Sequence, residues 1–258
     1  MGKIYVFSNQ KGGVGKTTTS MNLADFVSRA GKKVLLVDLD PQGNLTSGFG
    51  LAKNEIEHST YDFMMGHAPF EEIVKPTKYK NLDIVPSNMD LAGIEIELVS
   101  LPNRERVLKT ALRPVAEKYD YIFLDCPPSL GLITLNALTA CNSVVIPIQA
   151  EFFALEGLSQ LMNAIRLIKQ RPQLNPDIEV AGVVLTMYDN RSLMSRQVAE
   201  EIRKFFGKKV YKTVVPRNVR ICEAPSFGVP VSVHAATSKG AIAYSELAHE
   251  FMEREERI

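Results

Sequence analysis

The 258-residue chain carries 30 Lys+Arg against 29 Asp+Glu, a formal net charge of +1, which excludes a uniformly basic nucleic-acid binder but permits a local basic patch. Hydrophobic residues at 45% and charged residues at 23% are too apolar for disorder, and no apolar run approaches the roughly 20 residues that span a bilayer. Cys126, Cys141 and Cys222 lie far apart with no CxxC pair, and the N-terminus lacks a charged flank leading into an apolar signal stretch, so a reduced, cytoplasmic protein is expected.

The first apolar run, residues 4–8, predicts a strand that leads through a glycine-rich segment into a helix over 16–29. Strands are expected at 33–38 and 82–86, then a helix over 103–118 that Pro114 kinks or ends. Strands at 121–125 and 143–148 follow, with a helix over 154–170 and a strand at 179–185. In the helix expected over 194–206, Val198, Ile202 and Phe205 or Phe206 recur at helical spacing and leave the charges on the other face. A strand at 210–215 and a helix over 239–253 complete the pattern. Such alternation predicts one α/β domain over 1–258, a mostly parallel twisted sheet with helices on both faces. The runs 34–37, 121–124 and 144–146 are apolar throughout, as strands covered on both faces are, and belong in the sheet centre.

The turn between the first strand and helix holds Lys11, Gly12, Gly13, Val14, Gly15, Lys16, Thr17 and Thr18. Glycines let consecutive N–H groups converge on phosphate oxygens, and the helix N-terminus adds a favourable dipole. Lys16 is placed to reach the β and γ phosphates and the Thr17 hydroxyl to ligate magnesium. The strict GxxxxGK[ST] pattern fails, because its first glycine would fall at Gln10; KGGVGKT stands instead, with the additional Lys11. Ligands of open α/β sheets bind at the carboxyl ends of strands, so Asp38, Asp40 and Asp125, each closing or following an apolar run, are expected near this loop. Asp125 suits a magnesium-holding role through water. Of Asp38 and Asp40, one is expected to organise the metal and the other to face the attacking water.

The set KGGVGKTTT, VDLDPQGN, LDCPPSLG, TMYDNR and PRNVRICEAPSFG resembles the ParA/Soj family of deviant Walker A partition ATPases, over residues 1 to 247. The resemblance implies a P-loop fold, ATP and Mg²⁺, and a homodimer that sandwiches two nucleotides. It implies that Lys11 reaches into the facing subunit's site, as an arginine finger does elsewhere. By the same resemblance Asp40 positions the water, Gly12 lies near the dimer interface, and Pro216 and Asn218 recognise adenine.

Residues 188–220 hold nine basic side chains against three acidic ones, a local excess in a nearly neutral chain. The resemblance assigns Arg191 and Arg220 to nonspecific double-stranded DNA binding and implies a ParB-like centromere-binding partner that stimulates slow ATP hydrolysis. The expected protein is thus nucleoid-associated and drives chromosome or plasmid segregation. Near the end, VHAATSKGA departs from the Asp-Pro-Arg/Lys-Ser stretch frequent in the family, and Lys239 keeps a positive charge there. The first strand begins near residue 4, so a preceding helix-turn-helix and sequence-specific operator binding are not expected. A MinD-like membrane module is disfavoured, since residues 246–258 carry five acids and two arginines and would be repelled by anionic lipid. An ATPase positioning another cellular cargo is the remaining alternative.

Overall fold

Short runs of β-branched and aromatic residues pair into one seven-stranded sheet in the computed structural model, which describes residues 2–151 and 154–256. In chain order the elements are β1 (Lys3–Phe7), α1 (Lys16–Arg29), β2 (Val34–Asp38), α2 (Asn44–Gly48), α3 (Thr60–Met65) and α4 (Phe70–Ile73). Next come β3 (Lys75–Pro76), β4 (Leu82–Val85), α5 (Ile94–Ser100), α6 (Val107–Leu112), β5 (Tyr121–Asp125) and α7 (Leu132–Ala140). The remainder is β6 (Ser143–Gln149), α8 (Ala154–Lys169), β7 (Glu179–Thr186), α9 (Leu193–Phe206), α10 (Val219–Glu223), α11 (Val231–His234) and α12 (Lys239–Glu255). The strand order is β3-β4-β2-β5-β1-β6-β7, parallel throughout except for the β3–β4 pair.

Alternate side chains of each strand feed two cores, one per face. Ile4, Val6, Leu35, Val37, Ile122 and Leu124 meet α5 to α9, while Tyr5, Phe7, Leu36 and Phe123 meet α1 and α12 through Met21, Val27, Tyr244, Leu247 and Phe251. The three apolar runs form β2, β5 and β6, each with a neighbour on both sides. Register puts Asp38 opposite Asp125 and Phe7 opposite Asp125, so β1, β2 and β5 deliver their carboxyl ends to one place.

Two expected elements are corrected. Residues 210–215 do not form a strand: they run beside β7 with bonds from Tyr211 N to Val183 O and from Val215 N to Leu185 O. Between them the Lys212 and Thr213 N–H groups turn away to the Glu250 carboxylate of α12, which interrupts the ladder. The helix expected over 103–118 is shorter, because α6 ends at Leu112 just before Pro114 and short 3-10 turns flank it. Residues Arg257 and Ile258 of the acidic tail, and Met1, lie outside the described residues. Among the described residues no helix is long and apolar enough to cross a membrane.

Candidate active site

Between β1 and α1 the chain turns through Gly13 at φ +73° and Gly15 at φ +85°, the left-handed region that favours glycine. Gly15 is the residue before α1, and no side chain caps that helix, which leaves its first N–H groups directed at the turn. The loop is braced from three strands' ends. Thr186 Oγ1 donates to Val14 O at 2.8 Å, Asn9 Nδ2 donates to Pro147 O at 2.9 Å, and Asn9 Oδ1 accepts the Lys11 N–H at 3.1 Å. Lys16 folds back under the loop and donates to Lys11 O at 3.3 Å. Burial pushes its ammonium pKa down, with Asp125 and Asp40 among the groups pulling it back up.

The three acids expected here meet the loop in different states. Asp38 is fully buried and engaged by protein: its Oδ2 accepts Thr46 N at 2.9 Å and Thr46 Oγ1 at 2.7 Å, and its Oδ1 accepts Asp40 N at 3.2 Å. It pins the 39–46 loop, which holds Asp40 at the cleft. Asp40 is half-buried, and its Oδ1 accepts Gln42 N at 2.9 Å. Asp125 is fully buried with neither carboxylate oxygen in a hydrogen bond of ordinary geometry, although the Thr17 hydroxyl lies close enough to hold its pKa down. Such a buried carboxylate beside a phosphate loop fits the hydrated magnesium of a nucleotide site, since magnesium keeps waters and takes few protein ligands. No group of three or more His, Cys, Asp or Glu able to hold a metal occurs among the described residues.

Burial pushes the Asp125 carboxyl up to about 8, and the neighbouring Asp38 adds to the rise, while Thr17 and Lys16 oppose it. Burial likewise pushes Asp38 up to about 6 against the bonds it receives from Thr46 and Asp40. An acid whose folded pKa exceeds its unfolded value binds more protons when folded, so its contribution to stability is lost as pH rises through the folded pKa. In nucleotide-free protein with chelator, the melting temperature is therefore expected to fall between pH 6 and pH 8, and Asp125→Asn to flatten that slope. Thermal melts across this range test it; an unchanged slope in Asp125→Asn would assign the titration to another group.

A cleft of about 660 Å³ opens over the loop, lined by Gly12, Gly13, Gly15, Lys16, Thr17 and Thr18, and on its other walls by Asp40, Pro128, Met187, Pro225 and Ser226. A larger groove of about 1150 Å³ lies between α12 and residues 203–213, remote from the glycine loop. Pro216 and Asn218 stand outside the cleft lining. Pro216 bridges to Tyr188, and Asn218 caps α10 by accepting Arg220 N at 2.9 Å. Sequence reasoning missed Met187, Pro225 and Ser226 as wall residues, although they stand inside the TMYDNR and APSFG motifs. Met187 carries φ +49°, uncommon for a residue with a side chain. It also missed Glu151, whose Oε2 accepts Lys11 Nζ at 2.8 Å and whose Oε1 lies 4.0 Å from Arg217. The sequence signal there is no more than an acid just past the end of β6.

Comparison of the whole chain with known proteins gives its family. A family described as an AAA domain matches residues 2–180. The sporulation initiation inhibitor protein Soj of Bacillus subtilis (strain 168) is 55% identical over 250 residues, covering 97% of this chain and 98% of that protein. The chain belongs to the ParA/Soj family of chromosome-partitioning ATPases. Chromosome partitioning protein ParA of Myxococcus xanthus is 51% identical over 255 residues, 99% of this chain and 89% of that one. A crystal structure of cobyrinic acid a,c-diamide synthase from Mycobacterium smegmatis, with bound ATP analogue and magnesium, superposes with a TM-score of 0.86 at 34% identity, covering 99% and 96% of the two chains.

The basic segment of this ParA/Soj chain divides in space. Arg191, Arg220 and Lys239 share the cleft end: Tyr188 bridges Pro216, and Gly240 packs against Ile221 and Asn218 so closely that a Cβ would collide with Ile221. Arg203, Lys208, Lys209 and Lys212 line the remote groove instead, at the far end of α9, so the charge excess is two patches and not one. Arg191 is 88% exposed but paired with Asp189 at 3.1 Å, and Arg220 is paired with Glu223 at 2.8 Å. Close to that pair, His234 stacks on Phe227 and reaches Glu223.

Proposed function

We propose that the chain is an ATP-driven switch that converts ATP and water to ADP and phosphate slowly, pairs face to face when ATP is bound, and then holds duplex DNA without sequence preference. A ParB-like centromere-binding partner stimulates hydrolysis and resets it. The observation that carries this is a cleft lined by a braced glycine loop, Lys16 and Thr17, with the buried Asp125 carboxylate beside those two side chains beneath it. Backbone N–H groups from Gly12 to Thr18 hold phosphate oxygens, and Lys16 neutralises β and γ charge. Thr17 and, through water, Asp125 would hold the metal. Magnesium, when bound, neutralises charge on the transferred phosphoryl group. Asp38, expected among the metal-organising acids, serves as the anchor of the loop, since its oxygens are engaged by Thr46 and Asp40. Asp40 aims the attacking water, and Pro216 and Asn218, set beyond the lining of the cleft, border the base where it extends past the loop.

Lys11 completes the site of the facing subunit, which makes pairing a condition of hydrolysis. DNA phosphates are met by Arg191, Arg220 and Lys239, whose sum over two subunits turns a weak patch into a useful one. Nucleoid association follows from that affinity. A membrane role gains no support from α12, which buries Ala241, Tyr244, Leu247, Ala248 and Phe251 against the body and leaves Ile242 as its one exposed large apolar side chain.

Sedimentation with and without ATP, paired with DNA retention on the same samples, tests the switch. Arg191→Ala and Arg220→Ala are each expected to weaken binding to unrelated duplexes by similar factors, and to lower the salt slope by about one for each phosphate no longer neutralised. Because each arginine is already paired with an acid, the effect is smaller than for an unpaired cation. ATP-dependent pairing survives in both. Full DNA affinity across a salt series in both variants would move the DNA surface elsewhere, beginning with Lys239.

A further inference from the structure

On the sheet face opposite α1, residues 89–100 form one helical run, a 3-10 turn Met89–Gly93 continued by α5. Its inner side buries Leu91, Ile94 and Leu98 completely, as an amphipathic helix on a sheet must. The same run carries a second apolar row. Met89, Ala92, Ile96 and Val99 recur at spacings of three, four and three on the outer side, with Met89, Ile96 and Val99 exposed to 64%, 79% and 59%. Single exposed apolar side chains are ordinary, but a row at this spacing is the seam along which a second helix packs.

Charge selects the kind of helix. Residues 89–100 contain Asp90, Glu95 and Glu97 and no Lys or Arg. Asn88 Nδ2 donates to Ile56 O at 3.4 Å, which brings the exposed Glu55 and Glu57 beside the start of the run. A second copy would set acids against acids, whereas an amphipathic helix flanked by Lys and Arg is complementary.

The row is also wired to the cleft. Glu95 lies against Gly131, where any Cβ would collide with its carboxylate, and its Oε1 stands 3.4 Å from Ile133 N. Gly131 ends the loop that begins after Asp125, and Pro128 of that loop lines the cleft. Glu95 thus ties α5 to the segment between the buried acid and α7.

We propose that Met89, Ala92, Ile96 and Val99 form the docking site for a basic amphipathic helix of the hydrolysis-stimulating partner, with Glu95 carrying the contact to the loop after Asp125. This rests on the partner-stimulated switch proposed above. The test uses the full chain with its cognate ParB-like protein as probe, reading basal turnover, ATP-dependent pairing, DNA retention, partner binding and stimulated turnover. Ile96→Asp and Val99→Asp are expected to keep the first three and to lose partner binding and stimulation by about tenfold or more. Glu97→Lys weakens partner binding less and makes it less salt-dependent. Glu95→Gln is expected to keep partner affinity while lowering the maximal stimulated rate, a split that a merely structural role would not produce. Wild-type stimulation in the Ile96 and Val99 variants overturns the docking site while leaving the switch intact. Loss of ATP-dependent pairing in those variants also overturns it, by assigning the row to contact between copies. Failure of the wild type to respond to the partner overturns the docking site together with partner stimulation.

Discussion

Asp40→Ala is expected to bind magnesium-ATP, accumulate as the ATP-bound pair and turn over on the order of 10²- to 10³-fold more slowly than wild type. Its carboxylate stands half-buried on the cleft wall, held by the Gln42 N–H and positioned through Asp38. A group aimed at water contributes to the transition state more than to nucleotide affinity, so binding survives while hydrolysis fails. Lys16→Ala is expected to give the opposite division, because in the proposed site the ammonium under the loop faces phosphate charge in the ground state as well. Nucleotide titration and single-turnover hydrolysis on the two variants separate these outcomes. Normal turnover in Asp40→Ala with partner present would make Asp38 the better candidate for the water. Asp38→Asn also disturbs the bonds to Thr46, so its melting temperature has to be read beside its rate.

Lys11→Ala is expected to fold and bind nucleotide as wild type does, yet to lose pairing and hydrolysis, the latter by on the order of 10³-fold, as for removal of an arginine finger. In the single chain Lys11 is 32% exposed and rests on Glu151, itself 47% exposed. An ion pair so open to water contributes roughly 0–1 kcal/mol, so its removal leaves the fold intact. The contact has a second consequence. In the proposed pair Lys11 has to leave Glu151 before it can serve a facing subunit, so Glu151→Gln is expected to shift pairing to lower ATP concentration. Sedimentation and ATPase assays on one preparation read both effects. Unaltered pairing and turnover in Lys11→Ala would remove Lys11 from the mechanism.

Much of the site is legible in sequence because its grammar is local. A strand, two glycines at positive φ, a lysine and a hydroxyl must follow one another within a few residues to form a phosphate loop, so spacing alone announces Gly13, Gly15, Lys16 and Thr17. Strand-end acids are similarly legible, since parallel strands bring their carboxyl ends to one edge and register then sets Asp38 beside Asp125. The short helices α2 to α5 and α7 are not, being too short for periodicity to mark them.

The chain's local order accounts for the sheet, the loop and the acids near it, because each depends on residues adjacent in sequence or on periodicity along one strand. Three-dimensional packing settled what depends on distant partners. Thr46 commits Asp38 to the loop, while Asp125 stays buried beside Thr17 and Lys16; Glu250 draws residues 212 and 213 off the sheet; Glu151 meets Lys11 across 140 positions. The basic segment divides for the same reason, since α9 carries Arg203 and the lysines that follow it to the remote groove while sequence counts all the charges together. A hydrogen bond or ion pair acts over a few ångströms of space regardless of chain separation, and no window along the sequence records that distance.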